Sequence, residues 1–353
     1  MFINKYRELN NNFNGVLIEK SYFCRQILCS FTLFMLNRRY LRIKAMQAVY
    51  ACIQSGNQRV DLVEKQMLHS IETLYELYIF QLSVIPELVN FETMRIGDAR
   101  QKHLPTAEDL NPNRKFITNR LITQLTNNKD LNRKINYYHI SWVGEYDIIQ
   151  NIYTKLKDSR LYKDYMNSGI SDYEEDQEFV TKMFRKFISE SEALQSFFEE
   201  KNIFWSDDYY VAAHMALKTL GSFKSNDDEN KALPGLYKIS KGGDNEDKEF
   251  VVDLFRKTLL NMKEFEALIL KYVRNWEMER IAMLDNILMN MAITEIMNFR
   301  SVPVKVSLNE YIDIAKEYST PQSSVFINGI LDSIVKELKE ENRIVKAGRG
   351  LIE

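Results

Sequence analysis

Glycine and proline are scarce, 12 and 6 in a chain of 353 residues. Strands joined by hairpins need frequent Gly, Pro and Asn-Gly punctuation, so the scarcity argues against a β-rich fold and for long helices. Cysteine is nearly absent too. Cys24, Cys29 and Cys52 lack the spacing of a disulfide framework, and a reducing, cytoplasmic setting is expected. The four histidines, His69, His103, His139 and His214, are scattered, and none sits at metal-ligand spacing from a cysteine. No G-x-G-x-x-G, P-loop, H-E-x-x-H or G-x-S-x-G occurs. The acidic run Asp172, Glu174, Glu175, Asp176, Glu178 lacks the glycine and alternating oxygen ligands of a calcium loop and reads as a solvated helix start. No catalytic residue, metal or cofactor is therefore expected, and the chain is not expected to be an enzyme.

An excess of one charge is also missing: 47 Lys and Arg stand against 49 Asp and Glu, a net charge of -2. Any affinity for phosphate must come from a local cluster rather than from the whole. Long apolar runs are absent as well. Tyr22 to Leu36 is apolar and aromatic but falls short of the ~20 residues that a spanning helix needs. Arg25 interrupts it and no cleavage site follows. No membrane segment is expected. Met35 is expected as the natural start, with residues 1–34 a disordered or translated upstream stretch.

What is present is helical periodicity. Ile43, Met46, Val49, Tyr50 and Ile53 form one face over 38–54. Asp61 suits the cap of a second helix, striped by Val63, Met67, Ile71, Leu74, Leu77 and Tyr78. Pro86 opens a third segment. Residues 101–115 read as a polar loop. Helices are expected over 116–125, 146–156, 179–188 and 191–200, and again after Ser206. Residues 221–249 are the clearest linker. Beyond it come one or two helices from Phe250 to Tyr272, then a long stripe from Ile281 to Met297. Pro303 breaks the chain, Ser307 restarts it, and Pro321 opens a last helix through Leu338. The tail from Lys339 is polar and looks frayed.

Arg38, Arg39, Arg42 and Lys44 cluster where the first patterned helix begins. Cations there oppose the helix dipole at about 0.3–1 kcal/mol each when exposed. An anionic ligand such as phosphate accounts for the placement, because guanidinium and free backbone N–H groups then face one ligand. An ordinary solvated charge run is the alternative. Asn328-Gly329 is the second feature, since Val325, Phe326, Ile330, Leu331 and Ile334 carry the helical period through it. A mid-helix glycine costs roughly 1 kcal/mol relative to alanine. Close approach by another helix or by a ligand accounts for it.

These segments resemble the NusB family. Asn37–Ala51 (NRRYLRIKAMQAVYA) is similar to the family's arginine-rich opening, with its Gln-Ala-Leu-Tyr motif standing here as Gln47-Ala48-Val49-Tyr50. Val302–Ser319 (VPVKVSLNEYIDIAKEYS) and Ser324–Ile334 (SVFINGILDSI) resemble two further family blocks, in the family's order and spacing. The resemblance covers about residues 37–80 and 247–338 in an alignment by eye. It implies an all-α fold of NusB-type helical bundles extended by an inserted helical region. The expected organisation is 1–34, then 35–84 as N-terminal NusB-like helices, 85–246 as helical insertion and linker, 247–338 as the C-terminal bundle, and 339–353 as polar tail.

The resemblance further implies a transcription antitermination adaptor of ribosomal RNA transcription. Such an adaptor pairs with NusE, a small ribosomal subunit protein, binds boxA RNA, and joins an RNA polymerase antitermination complex. The family's RNA surface falls on Arg38, Arg39, Arg42, Gln47, Tyr50, Ser324, Phe326 and Asn328. Tyr50 and Phe326 are the stacking platforms. The NusE surface falls loosely on the long helix from Arg280 to Phe299. Two departures stand out: Tyr40 replaces a third arginine, and Asn290 replaces an arginine of the long helix. NusB-like domains also occur fused to ribosomal RNA methyltransferases, but the insertion shows no glycine-rich loop after a strand. A helical interaction scaffold without RNA binding is the remaining alternative.

Overall fold

A computed structural model describes residues 36–56, 59–237, 243, 245–273 and 281–351. No β-strand occurs among the described residues, and no described helix is long and apolar enough to cross a membrane. Residues 1–34, expected as an upstream or disordered stretch, lie outside the described residues together with Cys24 and Cys29. The chain divides into two compact units. One is Glu72–Gly235, and the other takes the described residues on either side of it.

The flanking unit begins with α1 (Arg38–Gln54), whose N-cap Asn37 accepts from the Tyr40 amide at 2.7 Å. Tyr40 to Met46 are all buried, so α1 is a core helix that carries cations. The helix α2 (Val60–Arg100) follows. Asp61 lies in its first turn rather than at its cap.

Pro86 was expected to open a third segment, but it lies inside α2, which runs straight through it. An interior proline costs about 3 kcal/mol. Around it Leu82, Val84, Ile85 and Leu88 are fully buried, each worth roughly 1.5–3 kcal/mol, which outweighs that cost. Nearby, Ser83 donates to the Phe80 carbonyl and accepts from the Trp142 indole.

Within Glu72–Gly235 come α3 (Ala107–Leu110), α4 (Arg120–Asn127), α5 (Lys129–Tyr137), α6 (Tyr146–Asp158), α7 (Arg160–Asn167) and α8 (Tyr173–Met183). A π-helical turn, Phe184–Ser189, extends α8, and α9 (Glu192–Lys201) and α10 (Tyr209–Ser222) follow. Phe80, Trp142, Phe197, Phe198 and Trp205 meet in an aromatic core. The expected linker from 221 is held down over its first part. Lys129 N–H donates to the Glu229 carbonyl at 2.8 Å, Leu233 N–H to Asp130 at 2.9 Å, and Tyr75 to the Pro234 carbonyl at 2.9 Å.

The flanking unit is completed by α11 (Glu246–Leu270), α12 (Met283–Asn298), α13 (Val304–Tyr318) and α14 (Ser323–Glu340). Helix α1 packs on α11 and α12, and α14 packs on α12 and α13. Helix α12 is the centre, with every residue from Ile287 to Ile296 buried. The tail is docked rather than frayed. Asn342 takes the left-handed conformation (φ 54) and Arg343 N–H returns to the Leu338 carbonyl at 2.9 Å, an ending that reverses the chain. Ala347 N–H then donates to the Arg300 carbonyl at 3.0 Å.

Candidate nucleic-acid interface

The site is built where α1 meets α11, α12 and α13. Arg42 lies buried on α1, and a buried guanidinium requires a carboxylate. Glu295 of α12 supplies it, accepting from Arg42 Nη2 at 2.7 Å and Nε at 2.8 Å, with both side chains shielded from water. Ser307 and Tyr311 of α13 donate to the same carboxylate at 2.8 and 3.0 Å, so its acceptor sites are filled. Burial works against both charges. Glu295 nevertheless holds Arg42 above its ordinary range, and Arg42 with the Ser307 and Tyr311 hydroxyls holds Glu295 below the usual carboxylate range. Arg42 Nη1 also reaches Glu310 at 3.4 Å. Every nitrogen of this guanidinium therefore faces an acid.

Arg39 is engaged in the same way. It donates to Glu310 at 3.0 and 3.1 Å and to Asp313 at 2.9 Å. Glu310, Asp313 and Glu317 recur at three- and four-residue spacing along one face of α13. Glu317 is pushed up to about 7, first by burial and then by the neighbouring Asp313 and Glu310, while Arg39 pulls the other way. Sequence reasoning missed these acids because nothing local joins them to α1; Glu295 lies 253 residues from Arg42.

Arg38 differs. Its guanidinium lies 4.6 Å from the centre of the Phe250 ring, it is half-buried, and no carboxylate pairs with it among the described residues. Gln47 and Tyr50 are also half-buried, and the Tyr50 hydroxyl accepts from Gln54 at 3.4 Å.

On α14, Ser324 is buried, Phe326 is half-buried and Asn328 is exposed. Val325, Asn328, Gly329 and Asp332 form an open face, along which the Asn328 amide donates to Asp332 at 3.2 Å. A Cβ placed on Gly329 would meet nothing within 4 Å, so no described helix explains that glycine. The α1 and α14 candidates thus stand on two helices that both lean on α12.

Asn290 is fully buried in α12; its amide donates to the Asn286 carbonyl and side chain, and its own Oδ1 finds no partner among the described residues. Of α12, expected loosely to carry the NusE surface, only the two ends reach solvent.

The described residues hold no group of three His, Cys, Asp or Glu placed for a metal ion. A groove of about 770 Å³ in Glu72–Gly235 is lined by Phe91, Met94, Trp142 and Tyr146, with Glu87 its one charged lining residue. It offers neither an acid–base pair for catalysis nor a cation for phosphate.

The NusB family model matches residues 211–336. Transcription antitermination protein NusB of Salinibacter ruber is 43% identical over 142 residues, which span 40% of this chain and 89% of that protein. The chain belongs to the NusB family. The protein of the same name from Chloroherpeton thalassium is 36% identical over 39% of this chain and 66% of its own length. That of Koribacter versatilis is 38% identical over 27% of this chain and 66% of its own length. No solved structure matches the chain significantly. The matched residues begin in α10 and end within α14, so they contain Glu295 and its α13 partners as well as the open α14 face.

Proposed function

We propose that this NusB-family chain is a non-catalytic, RNA-binding antitermination adaptor that pairs with NusE and binds boxA RNA of ribosomal RNA transcripts. The observation that carries the reading is the open face of α14. Gly329 sits mid-helix on that face, at a cost of roughly 1 kcal/mol relative to alanine, with no packing neighbour among the described residues to account for it. A ligand approaching the backbone would account for it.

In this proposal Arg38, Gln47, Tyr50, Phe326 and Asn328 meet RNA, and Ser324 lies buried on the same helix as the last two. Tyr50 and Phe326 stack on bases, and Arg38 supplies charge to phosphate. Arg39 and Arg42 belong to the same surface through α1, which their carboxylate partners hold in place. Residues 85–246 are proposed as an insertion that extends the family fold.

The saturation of Arg39 and Arg42 by acids favours a second reading, a scaffold that captures NusE without RNA. Fluorescence anisotropy of a boxA-type RNA, titrated with the protein alone and with NusE at two salt concentrations, separates the two. The adaptor reading expects salt-sensitive binding that NusE tightens. NusE capture with no RNA binding at either salt would replace it with the scaffold.

A further inference from the structure

The buried and half-buried carboxylates of Glu72–Gly235 are answered by partners, with one exception among the described residues. Arg95 answers Glu92, Lys102 answers Asp109, Lys115 answers Glu175, Lys201 answers Glu145 and Lys231 answers Asp227. Asp130 holds Arg133 and Lys134, and Asp176 accepts from the Tyr165 hydroxyl and the Arg120 amide. Glu76, Asp207 and Asp208 are engaged as well. The exception is Glu87 of α2. It is half-buried, and no cation, hydroxyl or amide meets its carboxylate among the described residues. A carboxylate partly withdrawn from water and left unpaired costs free energy that a cation would restore.

Glu87 lines the groove of about 770 Å³ described above, a size that suits a bound side chain and its neighbours. Phe91 stands one turn further along α2 on the same face. The Phe91 and Tyr146 rings lie 5.2 Å apart, and Trp142 lines the groove with them. Trp142 is held firmly, because its indole donates to Ser83 at 2.9 Å and its ring stacks on Phe197. The groove is therefore a fixed feature. Apolar surface is left open along it: Val143 is 93% exposed, and Met94 and Tyr146 are more than half exposed.

An unpaired carboxylate beside aromatic rings, with no Lys or Arg in the lining, complements a guanidinium. That planar cation stacks on ring faces and meets a carboxylate through two N–H groups at once, while its aliphatic stem covers apolar surface. Phosphate is the wrong charge for this groove. We propose that the groove docks an arginine of a partner protein, with Glu87 holding the guanidinium and apolar neighbours of that arginine covering Met94 and Val143. This inference is independent of the RNA reading, and it gives the inserted region a protein contact of its own.

The test follows the indole N–H resonance of Trp142 in the full chain, one of three tryptophans, assigned through W142F. The probes are acetyl-Leu-Arg-Leu-amide and its neutral isostere, in which citrulline replaces arginine. The expected result is a saturable shift with the arginine peptide, whose affinity falls about tenfold in Glu87→Gln, the worth of a hydrogen bond to a charged group. The citrulline peptide should bind the unaltered chain and Glu87→Gln alike, at the weaker level. Equal affinity of the two peptides for the unaltered chain overturns the inference, as does an arginine-peptide affinity that Glu87→Gln leaves unchanged. A resonance that neither peptide moves at millimolar concentration overturns it as well. A Trp142 shift on raising the protein concentration alone would give the groove to a second copy, and a shift with an oligouridylate would give it to RNA; either result replaces the proposed partner.

Discussion

Arg42 shows how far a residue's role can lie from its local sequence. Three arginines at a helix start oppose the dipole, and anion binding is the local explanation. The fold supplies another, because Glu295, Glu310 and Asp313 neutralise two of the three. Breaking a buried pair by removing one partner costs about 3–5 kcal/mol. Glu295→Gln and Arg42→Ala should each lower stability by that order in urea denaturation, whereas Arg38→Ala should stay within about 0.5 kcal/mol.

The pH dependence has a defined sign. The folded-state pKa of Glu295 is lowered, so its contribution is complete above the unfolded value of about 4.3 and is lost as pH falls through the folded value. Acid unfolding below about pH 4 should therefore be less steep in Glu295→Gln. Glu317 has the opposite sign. Pushed up to about 7, it destabilises the fold progressively as pH rises from about 4.3 to 7. Allowing for solvent screening, Glu317→Gln should gain on the order of 1 kcal/mol at pH 8 and only about a quarter of that at pH 5. Equal effects at both values would contradict this assignment.

At the scale of elements, the legible helices were those with long apolar stripes and separated ends. The stripe over 281–297 became α12 (Met283–Asn298), and the paired stripes before Tyr272 became the single helix α11. Helices α5 and α7 were not legible. They abut α4 and α6, and one residue serves both ends: Asn128 closes α4 and caps α5, and Ser159 closes α6 and caps α7. Without Gly or Pro between them, no breaker marks the joint.

Gly329 yields an element-scale prediction. With open space around its Cβ position, Gly329→Ala should stabilise α14 by about 0.5–1 kcal/mol and at the same time weaken RNA binding. Stabilisation with unchanged RNA affinity would remove the glycine from the interface. At Gly350 a Cβ would lie 2.0 Å from the Arg300 carbonyl oxygen. Gly350→Ala should therefore undock the tail, seen as faster amide exchange at Ala347, whose N–H bonds that same carbonyl.

For the whole molecule, composition alone placed the chain among all-α proteins, and the two C-terminal blocks placed it near the NusB family. The limits of the units were harder to see. The fold divides between Ile71 and Glu72, within α2, because the apolar stripe runs on past that point with no change of period. The candidate site was half legible. Asn328 stands exposed and Arg38 half-buried, whereas the pairing of Arg42 depends on long-range packing that no local pattern encodes.

The central claim is that the α1 and α14 surface binds RNA, and the salt dependence of boxA-type RNA affinity in Arg38→Ala tests it most directly. This substitution removes the α1 arginine that no carboxylate pairs with among the described residues and leaves the buried network intact. The account predicts weaker binding and a slope of log affinity against log salt shallower by about 0.7, one single-strand phosphate. Affinity and slope both equal to those of the unaltered chain would contradict it.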